Sequence, residues 1–178
     1  MFYSAYVGDN FRSDLGYYRR YGMYKFEPNY RFRIYPNNPK IHEIEFSHYA
    51  AWVFRTNLDN KYEGNIHYSQ IQLKYLNTSR LSLQRRQTKT YLYNDFDPTR
   101  SSDSTPLPKN NFYDYVDYIF SYKSSSRNIF NIDASISYGS FFNGEKFSFY
   151  NELAFRRQPI FNTSIKLNFD SIKLPSPY

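Results

Sequence analysis

The stretch IHEIEFSHYAAWVFRT, Ile41–Thr56, decides the fold because it carries two patterns at once. Its even positions are His42, Ile44, Phe46, His48, Ala50, Trp52 and Phe54; its odd positions are Ile41, Glu43, Glu45, Ser47, Tyr49, Ala51, Val53 and Arg55. A period of two sends these sets to opposite sides of an extended chain. One side is apolar in its middle, and the other carries Glu43, Glu45, Ser47 and Arg55. No helical period accounts for that separation.

The same alternation recurs on both sides of this segment. Met23–Tyr35 sets Tyr24, Phe26, Tyr30, Phe32 and Ile34 against Lys25, Glu27, Asn29, Arg31 and Arg33, with Pro28 predicting a bulge or an interrupted ladder. Ile129–Phe141 and Phe161–Leu174 repeat the pattern; less cleanly, Phe147–Arg157 sets Phe147, Phe149, Leu153 and Phe155 against Ser148, Tyr150, Glu152 and Arg156, and Phe112–Lys123 is apolar on one face apart from Asp114. Arg80–Tyr93 begins with Leu81 and Leu83 and then turns polar through Gln84–Gln87. In Lys61–Leu76 the apolar parity switches between Ile66–Tyr68 and Ile71–Leu73–Tyr75, which predicts a β-bulge between them. With Phe2–Val7, this predicts an all-β, antiparallel up-and-down meander of about nine long strands. Polar turns join most of them, such as Pro36–Pro39, Asn57–Asn60, Asn77–Ser79, Ser124–Ser126, Asn143–Gly144 and Gln158–Pro159. Two connections are long, 8–22 and 94–111. As the first and fifth in order, they emerge on the same edge of a meander.

Composition narrows the class. Tyr (21), Phe (17) and Trp (1) make up 22% of the 178 residues, more than half of a hydrophobic share of 40%. Mean hydropathy is −0.77 and no long apolar run exists, which excludes a helical span. The absence of Cys excludes disulfide scaffolds, Cys-ligated zinc and thiol catalysis. A net charge of +7 with this aromatic load admits nucleic acid as a ligand class. The cations, however, come only in doublets (Arg19–Arg20, Arg85–Arg86, Arg156–Arg157) among scattered acids, so no nucleic-acid partner is expected.

Two architectures accommodate long strands with one apolar and one polar face. A soluble or surface-exposed sandwich buries its apolar faces against each other and could bind carbohydrate through exposed aromatics. An outer-membrane barrel turns them to the lipid bilayer and lines a wet lumen with the polar set. Globular strands average about 5–6 residues, whereas a spanning strand needs about 9–11. The segments here meet the longer requirement, and Val occurs only at Val7, Val53 and Val116. The reading is therefore a partial transmembrane β-barrel. Its lumen-facing charges would be Arg31, Arg33, Glu43, Glu45 and Arg55, and its aromatic girdle Tyr113, Tyr115, Tyr118 and Tyr138.

The residues also resemble a known family. Gly8–Phe11 followed by Asp14–Arg20 looks like the "nF…elGF..R" stretch of an uncharacterised family of Gram-negative outer-membrane barrels, domain of unknown function 5916. Tyr93–Phe96 with Pro106–Pro108 resembles its next landmark, and Gly139–Lys146 its "GeFYdG.r" hairpin. Phe155–Pro159 and Ile172–Pro175 are similar to its closing "yR..p…..i.LP" strands. Tyr17 and Tyr18 depart from the family's Phe and aliphatic residue. Members often carry an upstream family-nine-type carbohydrate-binding module, and their barrel continues beyond the last motif. The resemblance thus implies an internal part of a barrel, residues 1–178 as one segment incomplete at both ends. It also implies an outer-membrane location, no enzymatic activity, possible association with glycans, and completing strands from the missing flanks. The first residues, Met1–Tyr6, show no signal-peptide pattern.

Candidate chemical sites are few. His42 and His48 share a face but lie roughly 20 Å apart along the strand, too far to share a metal. Glu43 and Glu45, roughly 6.6 Å apart, have the residue types of a glycosidase pair but also those of a charged wall with Arg55 and cross-strand cations as partners. Asp95, Asp97 and Asp103 lack the Gly of a calcium loop. Tyr113, Tyr115 and Tyr118 would suit sugar stacking as well as a girdle. No nucleophile elbow or phosphate loop is present. The expectation is no catalytic residue, no metal and no cofactor.

Overall fold

The computed structural model describes residues 1–12, 22–56, 61–99, 105–157 and 159–178. The Asp14–Arg20 motif, the Asn57–Asn60 turn, Asp103 and Gln158 lie outside the described residues. Alternation produces strands where the sequence alternates: β1 Phe2–Val7, β2 Met23–Ile34, β3 Ile41–Arg55, β4 Lys61–Tyr75, β5 Arg80–Leu92, β6 Asn111–Lys123, β7 Phe130–Phe141, β8 Gly144–Arg157 and β9 Phe161–Lys173. All nine belong to one antiparallel sheet in chain order, with β1 and β9 at its two edges and no closure between them. The described strands supply no second sheet for the apolar face to pack on.

Short polar turns set the register. At the β2–β3 turn the Asn38 side chain accepts the Lys40 and Ile41 amides at 2.8 and 3.2 Å. At the β4–β5 turn Asn77 accepts the Ser79 amide at 3.0 Å, and Thr78 takes the left-handed conformation at φ 73°. That turn meets the β6–β7 turn through a 2.9 Å hydrogen bond between Thr78 Oγ1 and Ser125 Oγ. Both belong to the edge opposite the two long connections. This is the geometry of a meander whose odd-numbered connections share one side.

Continuous register turns local alternation into rows across the sheet. On the apolar face Phe32, Phe46, Ile71, Leu83, Phe120, Ile136, Phe149 and Phe169 stand directly opposite one another in sequence. A second row, nearer the short turns, runs Ile34–Ile44–Leu73–Leu81–Tyr122–Ala134. None of the described residues covers these rows: Phe32 is 63% exposed, Phe120 48% and Phe169 54%. Only Val7, Ala50, Ala51 and Leu107 are buried apolar residues among those described. A water-soluble monomer rarely leaves so extended an apolar surface open.

Two details differ from the sequence expectation. The parity switch in β4 is not a bulge between Tyr68 and Ile71, since pairing with β3 and β5 runs unbroken from Gly64 to Lys74. The register shifts lie instead at the ends of β3, between Ile41 and Glu43 and between Val53 and Phe54. Ile66 and Tyr68 consequently stay on the polar face, and His67 and Ser69 on the apolar one. At Pro28 the β2–β3 ladder is interrupted between Phe26 and Asn29 while its register is kept. A missing amide donor removes rungs without inserting a residue.

Candidate functional site: the charged face

Every described ion pair lies on the polar face. Arg33 bonds Glu45 at 2.7 Å and approaches Glu43 at 3.6 Å, while Arg31 reaches Glu45 at 3.2 Å. These partners come from neighbouring strands because β2 and β3 pair Arg33 with Glu45 and Arg31 with Ser47. Glu43 and Glu45 thus lie against arginines of the neighbouring strand, the charged-wall arrangement of the two weighed from the sequence. Arg55 is not their partner. It bonds the buried Glu63 at 3.1 Å, which the register shift at the top of β4 brings to the same side. All five charges expected together on one face are found there.

Register also assembles charges that no single strand shows. Glu43, Lys74, Arg80, Lys123, Asp133, Glu152 and Lys166 form one unbroken cross-strand row near the short turns. Lys74, Arg80 and Lys123 are consecutive cations in it, next to consecutive acids Asp133 and Glu152. Like charges placed side by side are unfavourable in a structural ladder. Facing water, they create a field that runs along the sheet rather than across it. Lys123–Asp133 at 2.6 Å and Lys166–Glu152 at 3.6 Å close the junctions between blocks.

Toward the long connections the same face holds a recess of about 330 Å³ lined by Ile66, Arg86, Thr88, Tyr115, Asp117 and Lys146, among others. Its floor is the bidentate pair Arg86–Asp117, with nitrogen–oxygen distances of 2.8 and 2.7 Å, and Asp117 is only 7% exposed. Gly139 stands opposite Asp117, and a Cβ there would fall 2.4 Å from the Asp117 Cα. Glycine therefore makes the close approach of β6 and β7 possible. An isolated Gly within an alternating strand was the available sequence signal for this recess. Arg86, Asp117 and Lys146 were not among the residues singled out from the sequence. Nearby, Tyr49 hydrogen-bonds Glu27 and stacks on Tyr68 at 5.8 Å, and Lys25 reaches Glu27 at 2.7 Å.

The tyrosines expected as one girdle are split. Tyr118 and Tyr138 face each other across β6 and β7 on the apolar side. Tyr113 and Tyr115 pair with Thr90 and Thr88 on the polar side, so the four do not share one face. An even difference in position, not mere closeness, decides which residues share a face. For the same reason Tyr113, Tyr115 and Tyr118 cannot form a common sugar platform. Tyr113 and Tyr115 instead pack on Phe142, at 5.5 and 5.2 Å between ring centroids, together with Phe141 and Phe96. Phe142 holds a left-handed backbone, φ 53°, at the two-residue β7–β8 turn.

The long connection folds back at this cluster. Phe96 and Leu107 form a two-residue bridge, and Leu107 is fully buried. Asp95 accepts the Lys109 amide at 2.9 Å, and Asp97 accepts the Thr99 amide at 2.8 Å and its hydroxyl at 2.7 Å. Both carboxylates therefore organise the loop backbone. Among the described residues no group of three His, Asp or Glu is placed to hold a metal. His48 and His67, on adjacent strands, come to 5.6 Å, a proximity created by β3–β4 pairing; His42 lies apart against Tyr35. No family model, curated protein or solved structure matches the chain, so its geometry carries the reading of the site.

Proposed function

We propose that this chain forms part of the wall of an outer-membrane β-barrel, with its apolar rows toward lipid and its charged rows toward an aqueous lumen. The observation that carries this is one single-layer sheet with uncovered apolar rows on one face and every described ion pair on the other. Strands β2 to β9, of 12 to 15 residues, exceed the roughly 9–11 that a tilted spanning strand needs. Hydrocarbon does not tolerate open sheet edges, so β1 and β9 must meet further strands to complete the wall. The role is non-catalytic: passage or retention of polar solutes along the charged face, with glycans the class that the family likeness favours.

Detergent dependence tests this. The purified full chain is expected to require micelles or bilayers for solubility, to keep its strand signal there, and to sediment with liposomes after alkaline washing. A monomer that stays in solution without detergent would overturn the reading.

A further inference from the structure

The apolar face is free of charge only toward the short turns; the first charge above its apolar rows is Arg85, with Lys89 and Asp114 two rows farther along. The row next to Phe32–Phe169 runs Tyr30–His48–Ser69–Arg85–Tyr118–Tyr138–Phe147, so an arginine stands in the middle of an aromatic line. Arg85 joins none of the described ion pairs. Its guanidinium donates to Gln87 Oε1 at 3.1 Å, its cross-strand neighbours are Ser69 and Tyr118, and five N–H donors are far from satisfied by one amide. Beside it His48 Nδ1 and Ser69 Oγ share a 2.8 Å hydrogen bond, and Tyr30 stacks on His48 at 5.1 Å. These groups border a recess of about 400 Å³ whose other walls are Phe32, Phe46, Ile71 and Leu83.

That recess is amphipathic along the strands. Cationic and hydroxyl groups stand toward the long connections, and aromatic and aliphatic groups stand toward the short turns. From Arg85 to Leu81 the strand offers an apolar track of about 13 Å, most of the ~15 Å depth of one leaflet. A bare Arg on a lipid-facing strand costs about 2–4 kcal/mol at the bilayer midplane, which makes an uncompensated role untenable. A second copy packed on this recess about a two-fold axis would set Arg85 against Arg85. An inorganic anion would leave the Phe46–Ile71–Leu83 surface uncovered.

We propose that this recess binds the anionic phosphate headgroup of a membrane lipid, the phosphate on Arg85 beside Ser69 and His48 and an acyl chain along Ile71 and Leu83. The inference rests on the membrane reading above. The test uses the full chain in maltoside micelles doped with dimyristoylphosphatidylglycerol or with dimyristoylphosphatidylcholine, whose phosphate is neutralised by its own ammonium. Lipid retained after gel filtration is counted by native mass spectrometry. The anionic lipid is expected to be retained about fivefold more than the zwitterionic one, at about one per chain. R85Q should abolish the preference, whereas R127Q, on the exposed β6–β7 turn, should keep it.

Should R85Q lose its strand signal, raising the salt to about 1 M on the unaltered chain replaces it and should erase the preference through screening. Equal retention of the two lipids, an unchanged preference in folded R85Q, or displacement of the lipid by millimolar inorganic phosphate would each overturn the proposal. A chain that needs detergent yet shows no preference loses only this inference. A chain monomeric without detergent loses the membrane reading and this inference with it.

Discussion

The two faces of the sheet are built from the same strands and the same backbone ladder, yet they handle charge in opposite ways. On the polar face cations meet acids at nearly every level, from Arg33–Glu45 to Lys146–Asp170 at 3.4 Å. On the apolar face two successive rows carry no charge from β2 to β6, and the first charged residue above them, Arg85, has no acid beside it. Water allows a crowded, partly mismatched set of charges because it screens them. Hydrocarbon allows none without a specific partner. On the proposed membrane reading, this difference is what lipid on one face and water on the other require.

The largest expected effect comes from moving a charge across that boundary. F120K, in the unbroken apolar row, should lower refolding stability in lipid by about 2–4 kcal/mol, whereas S121K on the opposite face should change it by less than about 0.5 kcal/mol. Urea titration of both variants in bilayers measures the contrast, and equal losses would break it. Next in size is D117N, which leaves Arg86 with a neutral partner at the floor of the recess. Arg86 keeps 39% of its side-chain surface exposed, so the loss should be about 1–2 kcal/mol. The double change R86M with D117L should recover part of it.

F142A removes the ring on which Phe96, Tyr113 and Tyr115 converge, and should cost about 1–2 kcal/mol. Its readout is faster proteolysis within 94–111 while the sheet stays protected. Smallest is K123Q: with 60% of the Lys123 side chain exposed, the loss should be under about 0.5 kcal/mol and should vanish at high salt.

Much of this contrast was legible in single strands. Ile41–Arg55 and Phe161–Lys173 announce their faces because side chains alternate with a period that depends on no other part of the chain. Arg31, Arg33, Glu43, Glu45 and Arg55 were placed together on that basis alone. Tyr113 and Tyr115 fall on the opposite face from Tyr118, because an odd difference in position changes side. The polar turn within Arg80–Leu92 was visible in sequence, but its meaning was not. Arg85 points to the apolar face and Arg86 to the polar face, and only register sets Ser69 beside the one and Asp117 beside the other.

Sequence alone determined that the chain is a meander of long two-faced strands and which residues share a side where alternation is unbroken, though not in β4. Tertiary structure decided which residues stand beside which across strands. Glu43, Lys74, Arg80, Lys123, Asp133, Glu152 and Lys166 span more than 120 positions in the chain, and only register brings them into one row. The physical reason is range. Side-chain direction follows from the geometry of one extended backbone, whereas register is the joint outcome of turn lengths, end shifts and a full ladder of backbone hydrogen bonds between segments distant in sequence.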